Sequence, residues 1–417
     1  MATASGVEKK VVLAPQAAKG TCAAASEATA QYLRRVTSSM NLTKETYQSN
    51  EMRADRQIAD FRHGVQSVEG SISGELSPGT YEKFMAAILR KAWVAAPVGG
   101  PESDITAVVT SGNAGTFTST STATFLQDGL KVGDVVRQTG GTGDAAGNNN
   151  RNFLITALTD KVITGLMLDG KPVVAAAPSG ALTFTGVGKK TWVPTSGHTE
   201  DWFSIEHYYS DVDLSEVFWD LKVNSLAVKL PATGLATIDI GLMGLNHTNY
   251  ASGDAPYFNS VLAACKKGVL AAVNGAIYVA GTKIALITGM DFDIAGNLSS
   301  EPVVGSNVKP DIFDGRVMVK GNMSVFFEDA TFRDYFENET EVTINCVLTT
   351  ADTATADFLS FTFPRVKVGG ASKDDGEKGI VQTMPFVALF DTSAGPDTGA
   401  TATATLATTM SIQDSSL

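Results

Sequence analysis

The sequence predicts a mainly β fold: two tandem β-sandwich or barrel domains, each with one flanking helix, plus a small β-domain inserted into the first. Three observations lead there. The 417 residues include 40 Gly, 20 Phe, 9 Tyr and 4 Trp, enough turn-formers and core material for two or three domains. The stretch GSISGELSPGTYEKFMAAILRKAW, residues 70–93, switches its apolar period from two to three-and-four. A second segment, 251 positions further on, repeats that switch.

The switch is countable. Val68, Gly70, Ile72, Gly74 and Leu76 alternate with Glu69, Ser71, Ser73 and Glu75, the pattern of a strand with one buried and one wet face. Tyr81, Phe84, Met85, Ile88, Leu89 and Trp93 then form one stripe on a helix. Ser77 suits the N-cap and Pro78 the first helical position.

In chain order, residues 1–45 form an N-terminal region in which 28–36 has the composition of a short helix and the rest reads as a mobile arm. Residues 46–101 begin the first domain, and 102–190 form the insertion, where short Thr/Val runs alternate with Gly, Asn and Asp clusters. Residues 191–250 complete the first domain and 251–279 connect it to the second, 280–395. Residues 396–417 are a Thr/Ala-rich tail with the composition of an edge strand or a loose end.

The repeat joins these parts. DFRHGVQSVEGSISGELSPGTYEKFM (60–85) lies without a gap on DIFDGRVMVKGNMSVFFEDATFRDYF (311–336). Asp60, Gly64, Val68, Gly70, Ser73 and Thr80 recur as Asp311, Gly315, Val319, Gly321, Ser324 and Thr331. The helix stripe recurs as Phe332, Tyr335 and Phe336, so the candidate helix–sheet core is Tyr81, Phe84, Met85, Ile88 and Leu89 with those three. Asp201, Trp202, Ser204 and Ile205 precede a strand as Asp357, Phe358, Ser360 and Phe361 do, and Gly234-Leu235 leads into one as Gly379-Ile380 does.

Charge and cysteine usage bound the function. With 44 Asp plus Glu against 32 Lys plus Arg, the net charge is -12, which disfavours a sequence-reading DNA-binding protein. Cys22, Cys265 and Cys346 are odd in number and far apart, which argues against a disulfide framework and for assembly in a reducing compartment. The start lacks a continuous signal-peptide core, and no apolar run reaches the roughly 18 residues of a membrane-spanning helix.

No catalytic constellation emerges. His63, His198, His207 and His247 fit no metal-ligand spacing and read as scattered surface or strand histidines. GSISG places Ile72 where a nucleophile elbow needs Ser. GGTGDAAGNNN (140–150) lacks the Lys-Ser/Thr of a phosphate loop, and SKDDGEKG (372–379) reads as a solvated hairpin tip. No enzyme, metal or cofactor is therefore expected. Glu69 and Glu75 share one polar strand face, and Asp291 and Asp293 share another. Such faces are solvated exteriors or the lining of a pore that negative charge must cross without sticking.

The stretches QIADFRHGVQSVEGSISGELSPGTYEKF, FWDLKVNSLAVKLPATGLATIDIGLMG (218–244), PVVGSNVKPDIFDGRVMVKGNMSVFFEDATFRDYFENET (302–340) and FPRVKVGGASKDDGEKGIVQTMPFVALF (363–390) resemble the tail tube proteins, or major tail proteins, of bacteriophages with long non-contractile tails. The insertion, with GLKVGDVV at 129–136, resembles the small β-domains of other phage tail proteins.

The resemblance implies a structural subunit of the virion tail, assembled in the host cytoplasm. Its strands would join those of neighbouring copies into one barrel, rings would stack, and DNA would pass down the bore. A duplicated chain would close as a trimer with pseudo-sixfold symmetry, a hexamer being the other arrangement. The implied partners are further copies, other tail proteins at the tube ends and DNA in transit, with no membrane. Glu69, Ser71, Ser73, Glu75, Asp291, Asp293, Lys320, Asn322 and Ser324 are the candidate lumen-facing residues. The insertion would decorate the exterior, and residues 370–379 and the N-terminal arm would contact neighbouring rings. A carbohydrate-binding or adhesion module is the alternative; it predicts a monomer with aromatic side chains exposed in a groove.

Overall fold

The computed structural model describes residues 3–120, 123–375, 377 and 379–417. It is 45% strand and 6% helix, so β pairing organises the chain. Among the described residues, one hydrogen-bonded network holds 19 strands and a separate sheet holds seven.

The network contains two units with the same strand order. In the first, Lys9–Pro15, Phe203–Tyr209, Leu214–Pro231, Thr237–Tyr250, Phe61–Glu75 and Asn41–Gln48 pair antiparallel in that sequence. In the second, Gly275–Val279, Val342–Thr349, Phe358–Val368, Val381–Ala388, Met318–Phe326 and Ile287–Ala295 do the same. The registers correspond: Asn41 stands opposite Glu69 as Asp293 stands opposite Lys320, and Glu75 opposite Thr237 as Phe326 opposite Val381. The units join where residues 225–231 pair with 289–295. The seven-stranded sheet, from Val98–Glu102 to Leu182–Gly186, is inserted after the first helix. It has its own core, and its Val135 and Leu154 pack on Tyr278, Val347 and Phe358 of the second unit.

Helix α1, Glu82–Leu89, buries Tyr81, Phe84, Met85, Ile88 and Leu89 against Val68, Ile72 and Leu76. Each large apolar side chain so buried contributes about 1.5–3 kcal/mol relative to exposure. The helix starts later than the Ser-Pro pair predicts. Gly79 has φ +71, which no helical residue adopts, so residues 77–81 form a turn in which the Ser77 and Thr80 hydroxyls lie 2.6 Å apart, and Tyr81 takes the N-cap position with no side-chain cap.

Helix α2, Thr331–Glu337, is shorter and has no buried residue. Phe332 and Tyr335 pack partly on the core, but Phe336 is 43% exposed and does not belong to it. The stripe fails because Asn338, Glu339 and Thr340 follow where α1 continues with apolar side chains.

Other expectations change as well. The N-terminal 45 residues are no mobile arm: Lys9–Pro15 is an integral strand, and residues 28–36 contain the strand Gln31–Tyr32 in place of a helix. Val11 and Leu13 enter the main core while Val12 and Ala14 pack with Phe258 on the opposite side. Within 251–279, Gly275–Val279 belongs to the second unit, because its backbone groups pair with Val342–Thr349. The tail strand Ser411–Asp414 is not at an edge but lies between Lys189–Trp192 and Phe358–Val368. Residues 201–205 and 357–361 open non-equivalent strands, since the first strand after α2 is Val342–Thr349.

One strand histidine carries a testable pH dependence. His207 is 1% exposed, with Nε2 2.7 Å from the Ser38 hydroxyl. Burial, reinforced by the charges of Lys9, Arg35 and His247, lowers its pKa to about 3, against 6.5 unperturbed. Between those values the unfolded chain binds the extra proton, so the stability that neutral His207 supplies is present at higher pH and is lost as pH falls through the window. His207→Gln is expected to flatten the acid loss by on the order of 1 kcal/mol per pH unit. Urea unfolding from about pH 7 down to 4.5 measures it; an unchanged slope contradicts the assignment.

Candidate functional surface

Cross-strand register assembles the candidate residues into rows. Thr37, Ser73, Asp239, Ala227, Asp293, Lys320 and Val387 stand successively opposite one another across seven strands. The next row is Glu75, Thr237, Lys229, Asp291, Asn322 and Pro385. Directly opposed residues share a face, and so do residues two apart on one strand. All nine predicted lumen residues therefore lie on one face of one continuous sheet, with Ser71, Glu69 and Ser324 flanking the two rows.

The opposite face explains why the surface holds its shape. There the row Ile72, Ile240, Leu226, Ile294, Val319 and Ala388 crosses the same strands, and every member is buried in the main core. A slip of one residue would send this row to solvent and the carboxylates into the core, so the register is strongly specified. At about 4.8 Å per strand, the seven strands span roughly 30 Å.

The face is polar and unevenly charged. Along and beside these rows stand five carboxylates, Glu69, Glu75, Asp239, Asp291 and Asp293, against the ammonium groups of Lys229 and Lys320, while Lys367, opposite Val387, and Lys222, opposite Met243, are bound to Glu339 and Glu200. Desolvation by its neighbours holds Asp293 above the usual carboxylate range, with Lys320 opposite it pulling the other way. The Asn322 amide donates to Asp291 at 3.2 Å. Hydroxyls tie the margins together: Thr37 to Ser73 at 2.5 Å, Thr43 to Ser67 at 2.8 Å and Ser324 to Thr383 at 3.4 Å.

Asp239 and Lys229 escaped the sequence reading. The signal was present in TIDIGL, where Ile238, Ile240 and Leu242 alternate with Asp239 and Gly241. Of the loop 370–379, Gly376 and Lys378 lie outside the described residues, and Ser372–Lys373 forms a short strand against 382–383.

Among known proteins, the model of the family described as phage tail tube protein matches residues 6–388. No curated protein matches the chain.

Proposed function

The chain belongs to the phage tail tube protein family, matched over residues 6–388, and on that premise we propose that it closes with two further copies into a ring whose bore is lined by the polar sheet face. Family membership makes it a structural subunit of the virion tail tube. The observation that carries the finer reading is the continuity of one polar face across both units, backed everywhere by core. Two units of the same strand order also favour three chains over six, since a ring of three holds six units, and we read the units as a duplication.

The arithmetic of closure is consistent. Seven strands plus the Ser372–Lys373 edge give eight per chain, hence about 24 around a barrel of three chains. At a strand spacing of about 4.8 Å and a tilt of about 40°, opposite backbones are roughly 48 Å apart, which leaves a bore wide enough for a DNA duplex. A lining with more carboxylate than ammonium releases no counterions to phosphate, so DNA slides past without being held. Stacked rings then form a conduit of a non-contractile tail, with the inserted sheet outside the barrel.

Sedimentation and negative-stain electron microscopy of the concentrated protein test this reading. Rings or hollow tubes with three chains per ring are expected. A monomer under every condition contradicts it, and rings of six chains contradict the stoichiometry.

A further inference from the structure

The join between the two units inside one chain shows how one chain meets the next. Within the chain, Leu226, Val228 and Leu230 stand opposite Ile294, Phe292 and Met290. The first unit thus offers the free edge of residues 225–231 to the edge strand Ile287–Ala295 of the second. The same two edges occur once more, unpaired, at the ends of the repeat.

Register identifies them. Lys222 stands opposite Met243 as Lys367 stands opposite Val387, and Val228 opposite Ile238 as Lys373 opposite Gln382. Ala371, Lys373 and Asp375 therefore occupy the places of Leu226, Val228 and Leu230. By the same argument Ser38, Met40 and Leu42 occupy those of Met290, Phe292 and Ile294.

Hydrogen-bond direction agrees. The Ser39 N–H turns inward to the Ser71 carbonyl, and the Asp374 N–H inward to the Val381 carbonyl. Backbone groups alternate along a strand, so those of Ser38, Met40 and Leu42 on one edge, and of Ala371, Lys373 and Asp375 on the other, turn outward. Among the described residues, no strand pairs with either outer edge; the Ser38 carbonyl is held only by the Lys9 ammonium, at 2.9 Å.

We infer that the ring closes by antiparallel pairing of the 371–375 edge of one chain with the 38–43 edge of the next, Ala371 opposite Leu42, Lys373 opposite Met40 and Asp375 opposite Ser38. This rests on the tube-subunit reading and names its partner surface. A second contact follows from the same correspondence. Ile312, 1% exposed, covers Leu245 beside Lys222, which binds Glu200 at 2.7 Å. Its counterpart Phe61 is 54% exposed, and Lys367, bound to Glu339 at 3.2 Å, stands opposite Val387, which is 38% exposed. Phe61 of the next chain covers that patch. The intermolecular edge is more polar than the internal one, carrying Lys373, Asp374 and Asp375. Charges of that kind keep an open edge from pairing indiscriminately before assembly.

Asn41 and Ser372 are exposed and fall opposite one another in a non-hydrogen-bonded pair, where Cα atoms lie about 4.5 Å apart, within disulfide range. The test is oxidation of the Asn41→Cys, Ser372→Cys double variant at assembling concentration, with each single variant as a control for Cys22, Cys265 and Cys346. The expected result is a covalent ladder ending at a closed trimer, with more than roughly half the chains linked, as native pair geometry allows, and no ladder from either single variant. Rings or tubes that form with both thiols reactive yet unlinked overturn this join and leave the tube reading standing. A ladder without tubes supports the join alone. A monomer that neither links nor assembles overturns both.

Discussion

Replacing Phe292 by Ala is expected to lower stability by about 3–5 kcal/mol, the range for truncating a fully buried Phe. Phe292 is 1% exposed and meets Phe361 and Phe363 edge-on, with ring centroids at 5.0 and 5.2 Å. Such contacts add about 0.5–1.5 kcal/mol each beyond burial. Its backbone also sits in the join, opposite Val228 on one side and Gly321 on the other. The cavity would open beneath the polar face and loosen the seam between units. Urea unfolding of the unassembled chain measures the effect, with Phe336→Ala as the exposed comparison, expected near zero to about 1 kcal/mol. A Phe292→Ala loss no larger than that of Phe336→Ala would contradict the packing described.

Reversing charge on the polar face tests the proposed passage of DNA, since it should make that face retain a duplex that the native face is expected to release. Asp239→Lys, Asp291→Lys and Asp293→Lys together leave Glu69 and Glu75 against five lysines, among them Lys229 and Lys320. Each side chain is exposed, so folding should lose only about 0.2–1 kcal/mol for each like-charge pair created across strands. Tubes of the variant are expected to retain duplex fragments at least about tenfold more tightly at low salt, with log affinity falling against log salt by about 0.9 per neutralised phosphate. The matched Asp→Asn variant, which removes charge without reversing it, should show a smaller gain. Intact variant tubes that retain no more DNA than the parent would show that these residues line some other surface.

The local periods were legible and the long-range pairings were not. The strand 61–75 and the stripe of α1 are visible because one side of each element is wet, so polarity alternates along the chain. Lys9–Pro15 is hidden because Val11 and Leu13 face one core while Val12 and Ala14 face another, which turns the alternation into a short apolar run indistinguishable from a loop. The α1 cap misled because Ser-Pro satisfies local chemistry, whereas the turn is fixed by Gly79 and by the Asp414 carboxylate accepting its N–H at 2.7 Å. That contact spans most of the chain. The face itself was half legible: each strand shows its polar side, but only register reveals that Ser73, Asp239, Asp293 and Lys320 form one row.

A cryo-electron-microscopy reconstruction of the assembled tube decides whether the polar face lines the bore of a three-chain ring. Three chains per ring, six repeats of the sheet around the axis, and Glu69, Glu75, Asp239, Lys229, Asp291, Asp293 and Lys320 pointing into the bore are expected. Six chains per ring, or a bore lined by the inserted sheet or the helices, would contradict this arrangement.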